Sequence, residues 1–300
     1  MIFHNFEELI QANRRTKTTK AVAVAAAEDR HTLEAACRAK KNNIAEPILV
    51  GDKDQIIAGL AAINEQISDY QIFHTKTAAD AAAKAVSLVN EGKADFLMKG
   101  KIQTADLLHA VLDKDQGLST GRVMSIIAFF QLPGYHKLLA ITDGGMMMYP
   151  NLDEKIQIIQ NAVGVYHAFG ILNPKLAVLT AIENVNPKMP ETVDAAALKH
   201  MNIVGEITGC IIEGPISYDL AMSREAAMLK CYESPVSGDP DILIVPNIST
   251  GNILSKALVV SAGAIMAGFV IGAKVPVALT SRGSSAEEKY LSLVLSASAV

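Results

Sequence analysis

The segment TSRGSSAEEK, residues 280–289, places hydroxyl groups, a cation and a glycine between the apolar run VPVAL and an amphipathic stretch. Unpaired N–H groups and the dipole at the start of a helix attract anions. Ser281 and Thr280 carry hydroxyl donors, Gly283 lets the backbone come close to a ligand, and Arg282 offers two parallel donors to a phosphate. Ser284 is a further candidate substrate-binding residue. The segment therefore predicts a site for a phosphate or phosphoryl group.

The same segment also fits ordinary helix capping. Ser285 and Glu288 form the pattern S-x-x-E of a capping box, and Ser284 and Glu287 repeat it one residue earlier. The final helix is therefore predicted to begin near Ser284 or Ser285. A cap explains neither the cation nor the glycine of the segment, which favours a binding site.

Four more polar clusters follow apolar runs: KGKIQT after FLM, DGGMMMYPN after LLAIT, EGPISYD after CII, and PNISTGN after ILIV. In parallel α/β sheets, ligands bind beyond the carboxyl ends of strands. Lys99, Gly100, Thr104 and Asp143 are therefore candidate substrate-binding residues. The alternatives are that Asp143 only forms a turn and that the lysines of the first cluster are solvated.

The elements that would position these clusters alternate regularly between strand and helix. Predicted strands cover residues 20–27, 47–52, 70–75, 94–100, 175–180, 210–214, 241–246, 268–273 and 275–280, and the early ones are followed by helical patterns at 30–43, 54–63, 78–93 and 105–114. Such βα units predict an α/β fold with a parallel sheet covered by helices. Residues 125–131 and 137–143 are predicted as neighbouring strands that could be antiparallel, and a domain boundary is expected near residues 120–135.

Composition excludes several classes of function. Acidic residues outnumber basic ones 31 to 27, and no cluster of lysine and arginine predicts a nucleic-acid partner. The early charges of residues 1–15 do not fit a signal peptide. Cys37, Cys210 and Cys231 lack metal-ligand spacing and are predicted to be buried free thiols. A cytoplasmic protein is expected.

The uncharged stretch 257–273, ALVVSAGAIMAGFVIGA, lies at the short limit for a membrane span of about 20 residues. Its glycines and the β-branched residues near its end favour a buried helix that turns into a buried strand. No membrane partner is therefore predicted.

The sequence lacks the motifs of several enzyme classes. It contains neither G-x-G-x-x-G nor G-x-x-x-x-G-K-[ST], and its histidines show no metal-ligand spacing, so no catalytic metal is predicted. GLSTG, residues 117–121, matches the nucleophile-elbow pattern, but a helical segment rather than a strand precedes it. Ser119 is therefore not predicted to be a nucleophile.

From about residue 94 to its end, the chain resembles the phosphate acetyl/butyryltransferase family, and its butyryl branch most closely. The resemblance depends on LMKGKIQTADLLHAVLDKDQGLSTG, ITDGG, NPKMPETVDAAAL, GPISYDLA, PNISTGNILSKAL and AGFVIGAKVPVALTSRGSSAEEK. It implies the reaction butyryl-CoA + phosphate = butyryl phosphate + CoA, by direct attack in a ternary complex. It implies coenzyme A as a substrate, no cofactor, and a homo-oligomer of at least two chains.

The resemblance also implies a fold and roles for residues. The fold would be two α/β domains with mainly parallel sheets flanking a cleft, as in isocitrate and isopropylmalate dehydrogenases, with domains at 1–124 plus 275–300 and at 125–274. Ser281 and Arg282 would hold the phosphate, and Glu288 would be the base for the CoA thiol, unless it only caps the helix. Gly251, Asn252 and Lys256 would border the cleft, although Asn252 would fit a helix cap as well.

Several positions depart from the family pattern. His109 and Val260 stand where relatives often carry arginine, and loss of charged contacts would weaken binding of phosphate or CoA unless Lys256, Arg122 or Lys101 compensates. Asn247 and the segment MMMYPN depart from the pattern as well. The departures leave a non-catalytic sensor of acyl-CoA or acyl phosphate as one alternative. A dehydrogenase of the isocitrate-like fold is the other, and it would need an acidic metal cluster and a nicotinamide site that the sequence does not show.

Overall fold

The computed structural model describes residues 2–15, 19–281 and 283–300. Its strands are β1 (Lys20–Ala25), β2 (Ala45–Gly51), β3 (Gln71–His74), β4 (Phe96–Lys99), β5 (Ser125–Gln131), β6 (Leu139–Thr142), β7 (Lys175–Leu179), β8 (Ile211–Ile216), β9 (Ile242–Ile244), β10 (Ile265–Ile271) and β11 (Val277–Ala278). Its α-helices are α1 (Phe6–Arg14), α2 (Arg30–Lys41), α3 (Lys53–Ala62), α4 (Ala78–Asn90), α5 (Thr104–Val111), α6 (Leu152–Ala168), α7 (Pro190–Ile203), α8 (Tyr218–Met222), α9 (Arg224–Leu229), α10 (Ile248–Ala262) and α11 (Ala286–Ser298). The fold is mixed α/β.

The chain divides into two compact units. The first unit consists of Phe6–Arg122 and Ala267–Val300, and the second of Met1–Asn5 and Val123–Met266. β10 pairs with β11 at Val270 and Val277, which attaches residues 267–274 to the first unit. The domain limits that the resemblance implied stay a prediction.

In the first unit the strands follow the order β3-β2-β1-β4-β11-β10. The pairs from β3 to β11 are parallel, and only the pair of β10 with β11 is antiparallel. Apart from Lys20 and Lys99, strands β1 and β4 are apolar, and both are almost wholly buried, as expected for a parallel sheet covered by helices. The last helix, α11, packs against α1 and α2 and buries nearly every residue after its first turn. Two segments far apart in sequence therefore share one sheet and one core.

In the second unit the strands follow the order β5-β6-β9-β7-β8. β5 and β6 are antiparallel, with Phe129 opposite Ala140, which confirms the expected pair of neighbouring strands. The remaining neighbours are parallel. An apolar cluster under this sheet includes Phe130, Leu220 and Val236, each fully buried.

Two predictions about burial were wrong. The stretch 257–273 does run from helix α10 into strand β10, with Gly263 ending the helix in the left-handed region at φ 68°. Its helical half is not buried, because Val260 is 82% exposed. Cys37 and Cys210 are buried as predicted, whereas Cys231 is exposed. Within the described parts of the chain, no helix is both long enough and apolar enough to cross a bilayer.

Candidate active site

The loop after β11 carries the residues predicted to bind phosphate. Ser281 and Gly283 are exposed, and the Ser284 amide donates to the Ser281 carbonyl oxygen at 3.2 Å. The Ser284 side chain is different: the residue is 3% exposed, and its hydroxyl has no hydrogen-bond partner among the described residues. A buried hydroxyl without a partner costs free energy, so a ligand acceptor at this point would stabilise the loop. Arg282 lies outside the described residues.

Helix α11 begins immediately after this loop. The Ser285 hydroxyl accepts a hydrogen bond from the Glu288 amide at 3.2 Å and caps the helix. At the start of α6, by contrast, Asn151 and Glu154 form the complete reciprocal box. Between the described residues Ser285 and Glu288, only the serine half of the box is formed, so capping does not occupy the half-buried Glu288 carboxylate.

The carboxyl end of β4 lies beside β11 in the sheet of the first unit. Lys99, the last residue of β4, is 1% exposed, so the solvated alternative is wrong for it. Gly100 lies so close to the end of β1 that a Cβ atom would be 2.1 Å from the Ala26 carbonyl oxygen. Only glycine fits at this approach. Lys101 and Thr104 are exposed, and Thr104 is the first residue of α5.

A lysine that the sequence analysis did not single out lies under the same loop. Lys289 is 2% exposed, and its Nζ donates to the Thr280 hydroxyl at 3.2 Å. Burial lowers the pKa of Lys289 below its ordinary value, whereas the charges of Asp29 and Glu288 act in the opposite direction. Its position in α11 after two glutamates gave no signal, because lysine near a helix start is usually solvent-exposed.

In the second unit, Asp143 holds together the loop that follows β6. Its carboxylate accepts backbone N–H groups from Gly145 and Met147 at 2.9 Å and from Met146 at 3.0 Å. Asp143 is 3% exposed. Burial raises the pKa of its carboxyl group, and the backbone donors act in the opposite direction. The hydrogen bonds of Asp143 therefore hold the conformation of the Gly-Gly-Met loop. Contact of Asp143 with substrate stays a prediction.

The start of α10 packs against this loop. A Cβ atom on Gly251 would lie 2.7 Å from the Gly144 Cα, so glycine is required for the close approach. The cap of α10 is Asn247, whose side chain accepts the Thr250 amide at 3.0 Å. The alternative that Asn252 caps the helix is therefore wrong.

Asn252 is exposed in the second turn of α10, with its Nδ2 3.5 Å from the Gly144 carbonyl oxygen, at the long limit of a hydrogen bond. Lys256 is exposed four residues later, so both side chains lie on one face of the helix. Val260 continues that face as an apolar residue, and His109 is exposed on α5.

The predicted site residues thus form two sets, one in each unit. In the first unit, Lys99 and Gly100 end β4, and the loop of Ser281, Gly283 and Ser284 follows the neighbouring strand β11. In the second unit, the loop after β6 and the start of α10 bring together Asp143, Gly251 and Asn252, with Lys256 one turn further along the helix. The part of the chain that the structure describes contains no group of three or more histidine, cysteine and carboxylate side chains able to hold a metal ion.

Comparison with known proteins assigns the chain to a family. The family described as "Phosphate acetyl/butaryl transferase" matches residues 5–81 and 69–297. The phosphate butyryltransferase of Clostridium acetobutylicum is 45% identical over 98% of this chain and 97% of its own. The phosphate acetyltransferase of Thermotoga maritima is 44% identical, over 93% of this chain and 94% of its own. This chain belongs to the phosphate acetyl/butyryltransferase family.

Solved structures agree with membership of the phosphate acetyl/butyryltransferase family. A branched-chain phosphotransacylase from Enterococcus faecalis is 35% identical, with a TM-score of 0.83 over 94% of this chain and 99% of that one. A 4-hydroxythreonine-4-phosphate dehydrogenase from Burkholderia phymatum shares the fold alone, with 13% identity and a TM-score of 0.54 over 93% of this chain and 99% of that one. The chain is therefore an enzyme, a phosphate acyltransferase, and the dehydrogenase and sensor alternatives are not supported.

Proposed function

We propose that this phosphate acyltransferase moves a short acyl group, with butyryl as the preferred example, between coenzyme A and inorganic phosphate. The observation that carries the proposal is the buried Ser284 hydroxyl, which lacks a partner among the described residues in the loop before a helix of 13 residues. A phosphate oxygen would supply the missing acceptor, and the helix start would favour its negative charge. The similarity to phosphate butyryltransferases supports the choice of acyl group.

The proposed reaction is a direct attack within a ternary complex. The CoA sulfur bonds to the carbonyl carbon of the acyl phosphate, the bond from that carbon to the bridging oxygen breaks, and phosphate leaves. Glu288 takes the thiol proton, because a thiol is mostly protonated at neutral pH while the thiolate is the nucleophile. Ser281 and Arg282 stabilise the oxyanion and the phosphate as the tetrahedral centre forms. No cofactor takes part in this scheme.

The other predicted residues have proposed binding roles. Lys99 supplies positive charge at the carboxyl end of β4, and Gly100 and Gly283 allow the backbone to come close to ligand. Thr104 and Ser284 donate hydroxyl groups. In the second unit, Asp143 acts through the loop that it shapes, and α10 contributes Gly251, Asn252 and Lys256 as substrate-binding residues.

Several broader features belong to the same proposal. We propose a fold of the isocitrate and isopropylmalate dehydrogenase type. We propose a cytoplasmic homo-oligomer of at least two chains, whose partners are acyl-CoA or CoA and phosphate or acyl phosphate. Neither nucleic acid nor membrane takes part in the proposed function.

The first test is turnover itself. Purified protein in metal-free buffer is expected to form a thioester from butyryl phosphate and CoA, measured by absorbance of the thioester bond. Rates with acetyl, propionyl, butyryl and isobutyryl phosphates would rank the acyl groups, and butyryl is expected to give the largest kcat/KM. Absence of turnover with all four would contradict the assignment, and a preference for acetyl phosphate would contradict the acyl choice alone.

The second test concerns the cation of the loop. Arg282→Ala is expected to raise the KM for inorganic phosphate at least tenfold, because a hydrogen bond to a charged group contributes about 1.5–3 kcal/mol. The measurement is steady-state kinetics with butyryl-CoA and varied phosphate. Arg30→Ala is the matched control, since Arg30 forms an exposed ion pair with Glu34 on α2. Equal KM values for the two variants would remove Arg282 from the site.

A further inference from the structure

Lys289 differs in its partners from two other buried lysines, Lys137 and Lys155. Lys137 is 2% exposed and has Asp241 and Asp239 at 2.7 and 2.8 Å, and Lys155 is 6% exposed with Asp194 at 2.6 Å. Lys289 is as buried as Lys137, yet no carboxylate lies within 4.0 Å of its Nζ among the described residues.

The nearest partner of Lys289 is neutral. Its ammonium donates to the hydroxyl of Thr280, a buried residue that lies between β11 and the proposed phosphate loop. Two carboxylates act on Lys289 from neighbouring elements, Asp29 before α2 and Glu288 on α11. Asp29 already accepts the amide and hydroxyl of Thr32 as the cap of α2. The charge of Lys289 is therefore only partly balanced by the protein.

An unbalanced buried cation costs free energy unless a counter-charge is supplied. The loop next to Thr280 is the proposed phosphate site, and its Ser284 hydroxyl also lacks a partner among the described residues. One dianion in this loop would provide an acceptor for the hydroxyl and a negative charge near the ammonium. The same ligand would therefore satisfy the Ser284 hydroxyl and balance the charge of Lys289.

We propose that Lys289 is a positioning residue for phosphate: its ammonium holds the Thr280 hydroxyl two residues after β11, fixes the loop that follows, and supplies buried positive charge behind the bound dianion. The proposal rests on the proposed phosphate site in that loop. Lys289 acts through Thr280 and through its charge, and it is not assigned contact with the reacting carbon.

This role predicts a specific kinetic pattern. A positive charge behind the phosphate stabilises the bound substrate and the transition state to a similar extent. Its loss therefore weakens binding of phosphate more than it lowers the rate of reaction within the bound complex. Lys289→Met keeps most of the length of the side chain and removes the charge. It is expected to raise the KM for inorganic phosphate about tenfold while kcat changes less than about threefold.

Thr280 provides a second pair of variants that leaves the buried lysine in place. Thr280→Val keeps the shape of the side chain and removes the hydroxyl, and it is expected to raise the KM for phosphate. Thr280→Ser restores the hydroxyl and is expected to recover most of that loss. If Lys289→Met does not fold, the Thr280 pair decides the question alone.

Lys155→Met is the matched control, because it removes a lysine of similar burial from α6. It is expected to lower thermal stability without changing the KM for phosphate, and titration calorimetry with inorganic phosphate should give the same order of affinities as the kinetics. Unchanged KM values in folded Lys289→Met and in Thr280→Val, beside a raised KM in Arg282→Ala, would overturn the role of Lys289 and leave the phosphate site standing. An unchanged KM in Arg282→Ala as well would overturn the site itself.

Discussion

Replacing Lys137 by methionine is expected to lower the free energy of unfolding by about 3–5 kcal/mol, because the change leaves a buried carboxylate without its partner. The Lys137 side chain is 2% exposed, and its ammonium lies 2.7 Å from Asp241, whose side chain is 7% exposed. It also contacts Asp239 at 2.8 Å. Thermal unfolding should show a decrease in Tm on the order of 10 °C.

Lys175→Met is the control in the same cluster. Lys175 contacts Asp239 at 2.6 Å, but both side chains are about a third exposed, so its loss should cost about 0.2–1 kcal/mol. An equal loss of stability in the two variants would contradict the role of the buried pair.

The effect of Lys137 should also depend on pH. Burial raises the pKa of Asp239, but hydrogen bonds from the side chains of Lys137, Lys175 and His136 lower it by more. The pKa of Asp239 therefore lies below its ordinary value. A carboxyl group whose pKa is lower in the folded protein stabilises the fold fully at a pH above its unfolded pKa of about 4. This contribution is lost as the pH falls from that value through the lower pKa of the folded state. The difference in stability between wild type and Lys137→Met should therefore shrink in acid.

Glu288→Gln is expected to lower kcat by about 100-fold or more, because glutamine cannot accept the proton of the CoA thiol. The fold should be unaffected, since the Ser285 hydroxyl caps α11 through the backbone amide of residue 288 and not through its side chain. The measurement is kcat with saturating butyryl phosphate and CoA, together with the Tm of each variant.

Glu287→Gln provides the control one residue earlier. Glu287 forms an exposed ion pair with Arg38, so its kcat should stay close to that of the wild type. Wild-type turnover in Glu288→Gln would exclude the base and would favour the capping role, because glutamine can still cap a helix.

The alternation of apolar strands and amphipathic helices was sufficient to predict most of the fold. Segments 20–27, 47–52 and 94–100 became β1, β2 and β4, because a fully buried parallel strand leaves a continuous apolar run in the sequence. The start of α11 was also predicted correctly, since Ser285 combines a capping hydroxyl with an acid three residues later. Local signals of this kind need no knowledge of distant neighbours.

Features that depend on distant neighbours could not be predicted. Lys99 looks like a solvated lysine at a loop, but β4 lies between β1 and β11, so its end is covered on both sides. Asn252 has the residue type of a cap, yet β9 ends at Ile244 and the chain enters α10 earlier, at Asn247. The exposure of Val260 was missed because hydropathy records the polarity of a side chain and not what surrounds it. Lys289 was overlooked for the same reason.

The order in which the chain is made has a consequence for the first unit. Residues 6–122 leave the ribosome first, but β4 gains its neighbour β11 and α2 gains its cover α11 only when residues 277–298 have been synthesised. Until then an apolar strand edge and the apolar face of a helix stay open to other nascent chains. Chaperones that shield such surfaces during translation should therefore increase the yield of folded enzyme, and fragments that stop before β11 should aggregate.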